Sequence, residues 1–182
     1  DNNIKSGNSL IDTDFYDSEI ELGFERKIKP FSWQKGFPEV FKQGGFDAVI
    51  GNPPYGAAFK EIETNYFISK FKAQNYQYDS YFRFIEKSVA ILKPSALLGF
   101  IIPNTWLMNL TTSKIRQQIF SNTEIENIVH YKKPVFAQAI VDTEVMIFKN
   151  NKPKLEHEIQ VDIYDKENKK TAKRIAESVS YF

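Results

Sequence analysis

The residues of this chain best suited to chemistry are Asn52, Pro53, Pro54 and Tyr55, which follow directly on the apolar run Phe46-Asp47-Ala48-Val49-Ile50-Gly51. Asn52 carries an amide oxygen, the Pro53 carbonyl is a second acceptor, and Tyr55 adds a flat ring close by. Two acceptors beside a stacking face suit an exocyclic amino group on a planar base. A bare Pro-Pro pair signals only a turn with a surface aromatic; the strand before it and the asparagine at its head favour a binding site instead. With no histidine or cysteine nearby, the chemistry suggested is the holding of an amine rather than proton abstraction.

The elements that must position these groups can be read from spacing. Phe46 to Ile50, β-branched and aromatic between glycines, predicts a short buried strand. Two prolines fix φ, remove two backbone donors and bias Asn52 away from the helical region, so the turn is stiff. It lies at a strand's carboxyl end, where open α/β sheets bind ligands. Asp79 to Pro94 predicts a helix opened by an Asp cap, with Phe82, Ile85, Val89 and Leu92 on one face and Pro94 as its stop. Ser95 to Pro103 predicts a continuous buried strand. Strand, helix, strand implies a right-handed crossover, which brings Pro103-Asn104-Thr105-Trp106-Leu107 to the rim that holds the proline turn.

Asn52-Pro53-Pro54-Tyr55 after Phe46-Asp47-Ala48-Val49-Ile50-Gly51 resembles the catalytic motif of the N6-adenine-specific DNA methyltransferases, and the longer run from Trp33 to Tyr55 resembles the type IIG restriction-modification (Eco57I-like) enzymes. The resemblance implies an α/β, Rossmann-like class I S-adenosylmethionine-dependent methyltransferase fold: a mostly parallel sheet with an antiparallel hairpin at one edge. It implies that Asn52, Pro53, Pro54 and Tyr55 are catalytic, and that S-adenosylmethionine is held by Asn8, Ser9, Leu10, Asn52 and Phe82. Many relatives carry aspartate where this chain has Asn8, and an amide oxygen can still pair with a ring amino group. Tyr55 and Phe136 would stack on the target base from its two faces, Lys132 and Lys133 would meet the flanking DNA phosphate, and double-stranded DNA would be the partner. Protein-glutamine methyltransferases carry a similar motif. An RNA adenine or a protein glutamine is therefore an alternative acceptor, and a catalytically silent DNA-binding domain is a reading from another class.

Composition is consistent with one ordinary core: 182 residues, 42% hydrophobic. The formal net charge of +1 makes no demand for a polyanionic partner. The absence of cysteine excludes disulfides and thiolate metal sites, and the two histidines, His130 and His157, are scattered, so no metal is expected. No stretch approaches the ~18 apolar residues of a membrane helix, and the polar start Asp1-Asn2-Asn3 resembles no signal peptide, so a cytoplasmic location is expected.

The remaining segments carry weaker signals. Asn3 to Leu10 predicts a short strand entering a turn, residues 12–29 a surface loop, and Trp33, Phe37 and Phe41 a core stripe at spacing four. Ala57 to Gln77 predicts a helix flanked by loop, with Lys60, Lys70 and Lys72 on a solvated face. A helix is expected at Thr111 to Phe120, followed by two strands at Glu126–Tyr131 and Asp142–Lys149. Residues 1–150 are then a partial catalytic domain, and 151–182 a polar extension with one strand and a basic run, leading toward a DNA-recognition domain. A glycine-rich strand-to-helix turn, which cradles the cofactor in such enzymes, is lacking. The chain, which starts with aspartate, is therefore expected to be a fragment, incomplete in the amino-terminal half of the cofactor site, that binds S-adenosylmethionine weakly or not at all alone.

Overall fold

The computed structural model describes residues 3–18, 28–72, 79–132, 142–154, 156–165 and 168–176. Its frame is one six-stranded sheet in the order β1-β2-β4-β3-β5-β6, comprising β1 (Phe46–Gly51), β2 (Leu92–Pro103), β3 (Glu124–Tyr131), β4 (Thr143–Lys149), β5 (His157–Asp165) and β6 (Asn168–Ala176). β1 pairs with β2 in parallel, as does β3 with β5, while β4 and β6 run against their neighbours. Four strands thus share one direction. The β3–β4 hairpin is present, and β5 and β6 carry the sheet on beyond β3.

The helices are α1 (Phe15–Ser18), α2 (Trp33–Gly36), α3 (Pro38–Lys42), α4 (Glu61–Lys70), α5 (Ser80–Ile91) and α6 (Ser113–Asn122). In α5, Phe82 and Ile85 point inward as their spacing requires, but Ser80, Tyr81, Arg83, Ser88 and Ile91 are buried too. A helix buried around most of its circumference must place polar groups inside; Ser80 finds hydrogen-bond partners, whereas Arg83 Nε has none among the described residues. The Arg83 guanidinium lies over the rings of Phe67 and Phe59, 5.2 and 5.5 Å from their centroids. Burial holds it below its ordinary pKa, against the pull of Asp79 and Glu86.

The core packs Phe82, Leu98, Ile102, Trp106, Ile115, Met146 and Phe148 between sheet and helices. A second cluster joins Leu10, Ile11 and Phe15 to Tyr66, Phe67 and Phe71 of α4 and its exit. The expected aromatic stripe forms a ring cluster rather than part of the core: Trp33, Phe37 and Phe41 are only half-buried, and their rings meet Phe46 edge-on at 5.7, 5.4 and 5.8 Å. Gly45 delivers the chain into β1 at φ +122°, and a Cβ there would stand 2.5 Å from the Ile91 carbonyl, so no other residue fits.

Three expectations need correcting. Asn3 to Leu10 forms no strand; it makes one isolated bridge, Asn8 to Pro30, because its backbone is spent on the turn and not on the sheet. β2 starts at Leu92, before Pro94, and runs past the irregular Phe46–Ala48 register with Ser95 in the left-handed region at φ 65°. Such an irregularity tolerates a residue with no N–H. The basic run expected as a charged tail falls in β6, where antiparallel pairing with β5 orders its backbone. Among the described residues no helix is long and apolar enough to cross a membrane.

Candidate active site

β1 ends at Gly51, opposite Phe100 of β2, and the chain leaves the sheet through Asn52-Pro53-Pro54-Tyr55. Gly51 permits that exit, since a Cβ would come within 3.0 Å of the Phe100 ring. Asn52 is exposed, Pro53 is buried and Tyr55 is half-buried against the core. The Tyr55 ring meets Tyr81 edge-on at 6.2 Å. Its hydroxyl lies 2.8 Å from the Ile101 carbonyl oxygen and 2.9 Å from Asn52 Oδ1. Ile101 is one residue beyond the last β1–β2 pair, so the phenol satisfies a carbonyl that β1 has left behind. Burial, with Asp79 nearby, holds the Tyr55 phenol above its ordinary pKa, so it stays a neutral donor.

The turn is clamped from outside by the start of α5. The Ser80 hydroxyl donates to the Pro54 carbonyl at 2.5 Å, and the Gly56 backbone N–H donates to Asp79 Oδ1 at 2.6 Å. Gly56 sits at φ 63°, the left-handed region that lets the turn close toward Asp79. Asp79 stands where a helix cap is expected but makes no side-chain cap; its carboxylate serves the turn. Among the described residues the Pro53 carbonyl and Asn52 Nδ2 have no hydrogen-bond partner.

A cleft of about 250 Å³ opens beside the turn, lined by Asn52, Pro53, Pro54, Ser9, Trp33 and Phe84 among others. Sequence reasoning placed Ser9 and Asn52 together, and they share this cleft. The Ser9 carbonyl accepts from Trp33 Nε1 at 3.0 Å, which fixes the loop against the aromatic stripe. Asn8 is turned to local use: its Oδ1 accepts from the Leu10 N–H at 3.1 Å, and its Nδ2 reaches Glu63 at 3.5 Å. Leu10 and Phe82 do not line the cleft. Leu10 packs into the second cluster, and the Phe82 ring is buried among Tyr81, Trp106 and Ile85, because the helical face that carries Ile85 carries it inward. Phe84, on another face of α5, reaches the cleft instead. Trp106 is likewise a core anchor.

Lys132 is exposed just past β3, and its backbone N–H donates to the Tyr164 carbonyl at 3.0 Å. Lys133 and Phe136 lie outside the described residues. The residues that sequence reasoning missed are Asp79 and Ser80, which clamp the turn. The one signal for them was a small polar pair at the start of a helix that otherwise buries large side chains.

A family model described as Eco57I restriction-modification methylase matches residues 2–136. The chain belongs to the Eco57I restriction-modification methylase family. RM.MjaORFECS2P of Methanocaldococcus jannaschii is 33% identical over 144 residues, 79% of this chain and 12% of that protein. The type II restriction enzyme and methyltransferase RM.Eco57I of Escherichia coli is 30% identical over 136 residues, 72% of this chain and 12% of the relative. The chain therefore spans about an eighth of the length of these two members of the family.

Solved structures agree on the fold. The type IIG restriction endonuclease BpuSI superposes with a TM-score of 0.56 at 16% identity, covering 74% of this chain and 19% of that one. The M protein of the type I restriction enzyme EcoKI gives 0.51 at 21%, covering 65% of this chain and 25% of that one. The Listeria monocytogenes protein lmo1582, assigned to the class I S-adenosylmethionine-dependent methyltransferases, gives 0.52 at 21%, with 64% and 36% covered. The Eco57I-family chain thus has the class I methyltransferase fold.

Proposed function

We propose that this chain is the motif-bearing part of an N6-adenine-specific DNA methyltransferase within a restriction-modification polypeptide. The observation that carries the reading is the pair of acceptors at the end of β1: an exposed Asn52 amide and a Pro53 carbonyl with no partner among the described residues, on a turn clamped by Asp79 and Ser80.

An aromatic amino group is a poor nucleophile because its lone pair is delocalised into the ring. Accepting its two protons at Asn52 Oδ1 and the Pro53 carbonyl draws the nitrogen toward tetrahedral geometry and frees that pair. No base is needed before transfer, and alignment supplies much of the rate. S-adenosylmethionine, when bound, supplies the methyl electrophile. The cleft fits one end of that molecule: its volume, about 250 Å³, is below the roughly 300–1,000 Å³ of sites that enclose a whole drug-sized ligand. Ser9 and Asn52 are the residues present that would hold this end.

The base must leave the duplex at a cost of a few kcal/mol, which stacking on Tyr55 has to offset. A second stacking face from Phe136 and phosphate contacts from Lys132 and Lys133 rest on the family resemblance. Methylation assays with the full-length polypeptide on DNA, RNA and protein substrates test the reading. N6-methyladenine in DNA is the expected product. Methyl transfer only to RNA or to protein glutamine overturns the choice of acceptor, and no transfer to any substrate leaves a silent domain. The 182-residue chain alone is expected to give no saturable heat with S-adenosylmethionine in calorimetry.

A further inference from the structure

The Tyr55 hydroxyl has one proton and two acceptors within reach, the Ile101 carbonyl at 2.8 Å and Asn52 Oδ1 at 2.9 Å. It cannot donate to both. Ile101 offers only a carbonyl, fixed by the β2 backbone, whereas Asn52 offers either end of its amide. Asn52 Nδ2, a donor with two protons, has no partner among the described residues.

Half a turn about the Asn52 Cβ–Cγ bond exchanges the oxygen and nitrogen while leaving the outline of the side chain unchanged. That torsion is soft and roughly two-fold, so the turn costs little strain. In the resulting arrangement the phenol donates to Ile101, Nδ2 donates to the phenol oxygen, and every group of the trio is matched. Oδ1 is then on the side of the amide away from Tyr55, free of the phenol, on a residue that lines the cleft.

We propose that the Tyr55 hydroxyl, distinct from its ring, is a positioning group: anchored on Ile101, it holds the Asn52 amide with its oxygen presented to the incoming amine. This rests on the proposed reading that an amino group is the acceptor. Its consequence is that stacking and amide orientation are separable functions of one side chain. A phenylalanine at this position would keep the first and lose the second, leaving the amide free to present a donor to a group that is itself a donor.

The test is Tyr55→Phe in the full-length enzyme, with Asn52→Ala and the double variant completing a cycle. Tyr55→Phe is expected to lower kcat roughly 10- to 100-fold, the range for a displaced catalytic group. The KM for DNA should stay within about two-fold, and the fluorescence of 2-aminopurine at the target position should be retained, since the ring still stacks. In the Asn52→Ala background the same change should have almost no further effect. A kcat for Tyr55→Phe within about two-fold of the parent, or effects of the two substitutions that multiply, would overturn the proposal. A readout independent of turnover is the side-chain amide resonance of Asn52 in asparagine-labelled protein, assigned by its loss in Asn52→Ala. It should move in Tyr55→Phe, and an unmoved resonance also overturns the proposal. If the parent methylates glutamine or RNA instead of DNA adenine, the choice of acceptor fails while the cycle, run on that acceptor, still decides the role of the hydroxyl.

Discussion

Two asparagines follow the parallel strands β1 and β2, Asn52 directly after β1 and Asn109 six residues after β2, past a 3-10 helix at Asn104–Leu107, and they have opposite fates. Asn109, beyond β2, is consumed locally: its Oδ1 accepts from the Thr111 N–H at 3.0 Å and the Thr111 hydroxyl at 2.9 Å. Its carbonyl accepts from the Thr112 hydroxyl at 2.8 Å and from Arg116 at 3.1 Å. Asn52, beyond β1, shares Oδ1 with one phenol, and among the described residues neither its Nδ2 nor the following Pro53 carbonyl has a partner. The Asn109 turn closes on itself, whereas the Asn52 turn leaves polar groups open, as the proposed amine-holding role requires. What separates them is proline: two of them stiffen residues 53–54 without recruiting local hydrogen bonds, whereas the Asn109 turn has to be stiffened by the bonds themselves.

The sharpest way to break that contrast is Asn52→Ala in the full-length enzyme. One of the two acceptors disappears, and kcat should fall by about 10²-fold or more, as when one preorganised polar contact is removed from an active site. Stability should change by about 0.5 kcal/mol or less, because the side chain is exposed. Near-normal turnover with an unchanged denaturation midpoint would make the two turns equivalent.

The opposite result is expected at the other turn. Arg116 is buried and donates to the Trp106 carbonyl at 2.6 Å as well as to Asn109. Arg116→Met removes two charge-assisted hydrogen bonds, although both carbonyls keep a donor in Thr112, and should cost about 1.5–3 kcal/mol in urea denaturation. The kcat per folded molecule should hardly change; a large fall would mean that this turn contributes directly to the chemistry. Ser80→Ala tests the clamp between these extremes. Loss of the hydroxyl that donates to Pro54 should cost about 1 kcal/mol. The turn would then be less well placed and kcat lower by several-fold, with Asp79 still holding Gly56. A Ser80→Ala enzyme that loses stability alone would reduce the clamp to packing.

Much of the rim was legible from sequence, for physical reasons that can be named. β1, α5 and β2 were legible as elements, and the proline turn follows from residue types that permit little else, but neither strand is continuously buried as expected: β1 is an edge strand with Ile50 90% exposed, and burial alternates along β2. The rings around Phe46 were legible as an aromatic spacing of four, but not as one helical face: the chain breaks at Phe37 between α2 and α3, and the three rings converge on Phe46 across that break. The clamp was not: Ser80 and Pro54 are 26 residues apart, and only the crossover brings them together. Asp79 was legible as a helix start but not as a ligand of Gly56, since both roles use the same carboxylate and local pattern sees only the first. Phe82 carried two conflicting assignments, core face and cofactor contact, and packing decided for the core. β6 was hidden because its polar, basic sequence lacks the apolar alternation by which strands are recognised.

A third position along the rim gives the smallest effect. Glu144, paired with Ile102 of β2, is buried, with His130 Nδ1 at 3.0 Å from Oε1 and no partner for Oε2 among the described residues. Burial raises its pKa above the ordinary carboxylate value, and the His130 contact only partly opposes this. With the folded pKa above the unfolded one, the folded state binds the proton more tightly. The contribution of Glu144 to stability is therefore fully present below the unfolded value and is lost as pH rises through the folded one. Glu144→Gln cannot lose a proton, so its melting temperature relative to the parent should climb as pH rises above the ordinary carboxylate range. If the variant instead falls further behind the parent as pH rises, the ionised carboxylate is net stabilising, and Glu144 belongs with the self-satisfied Asn109 turn rather than with the strained, receptive end of the rim.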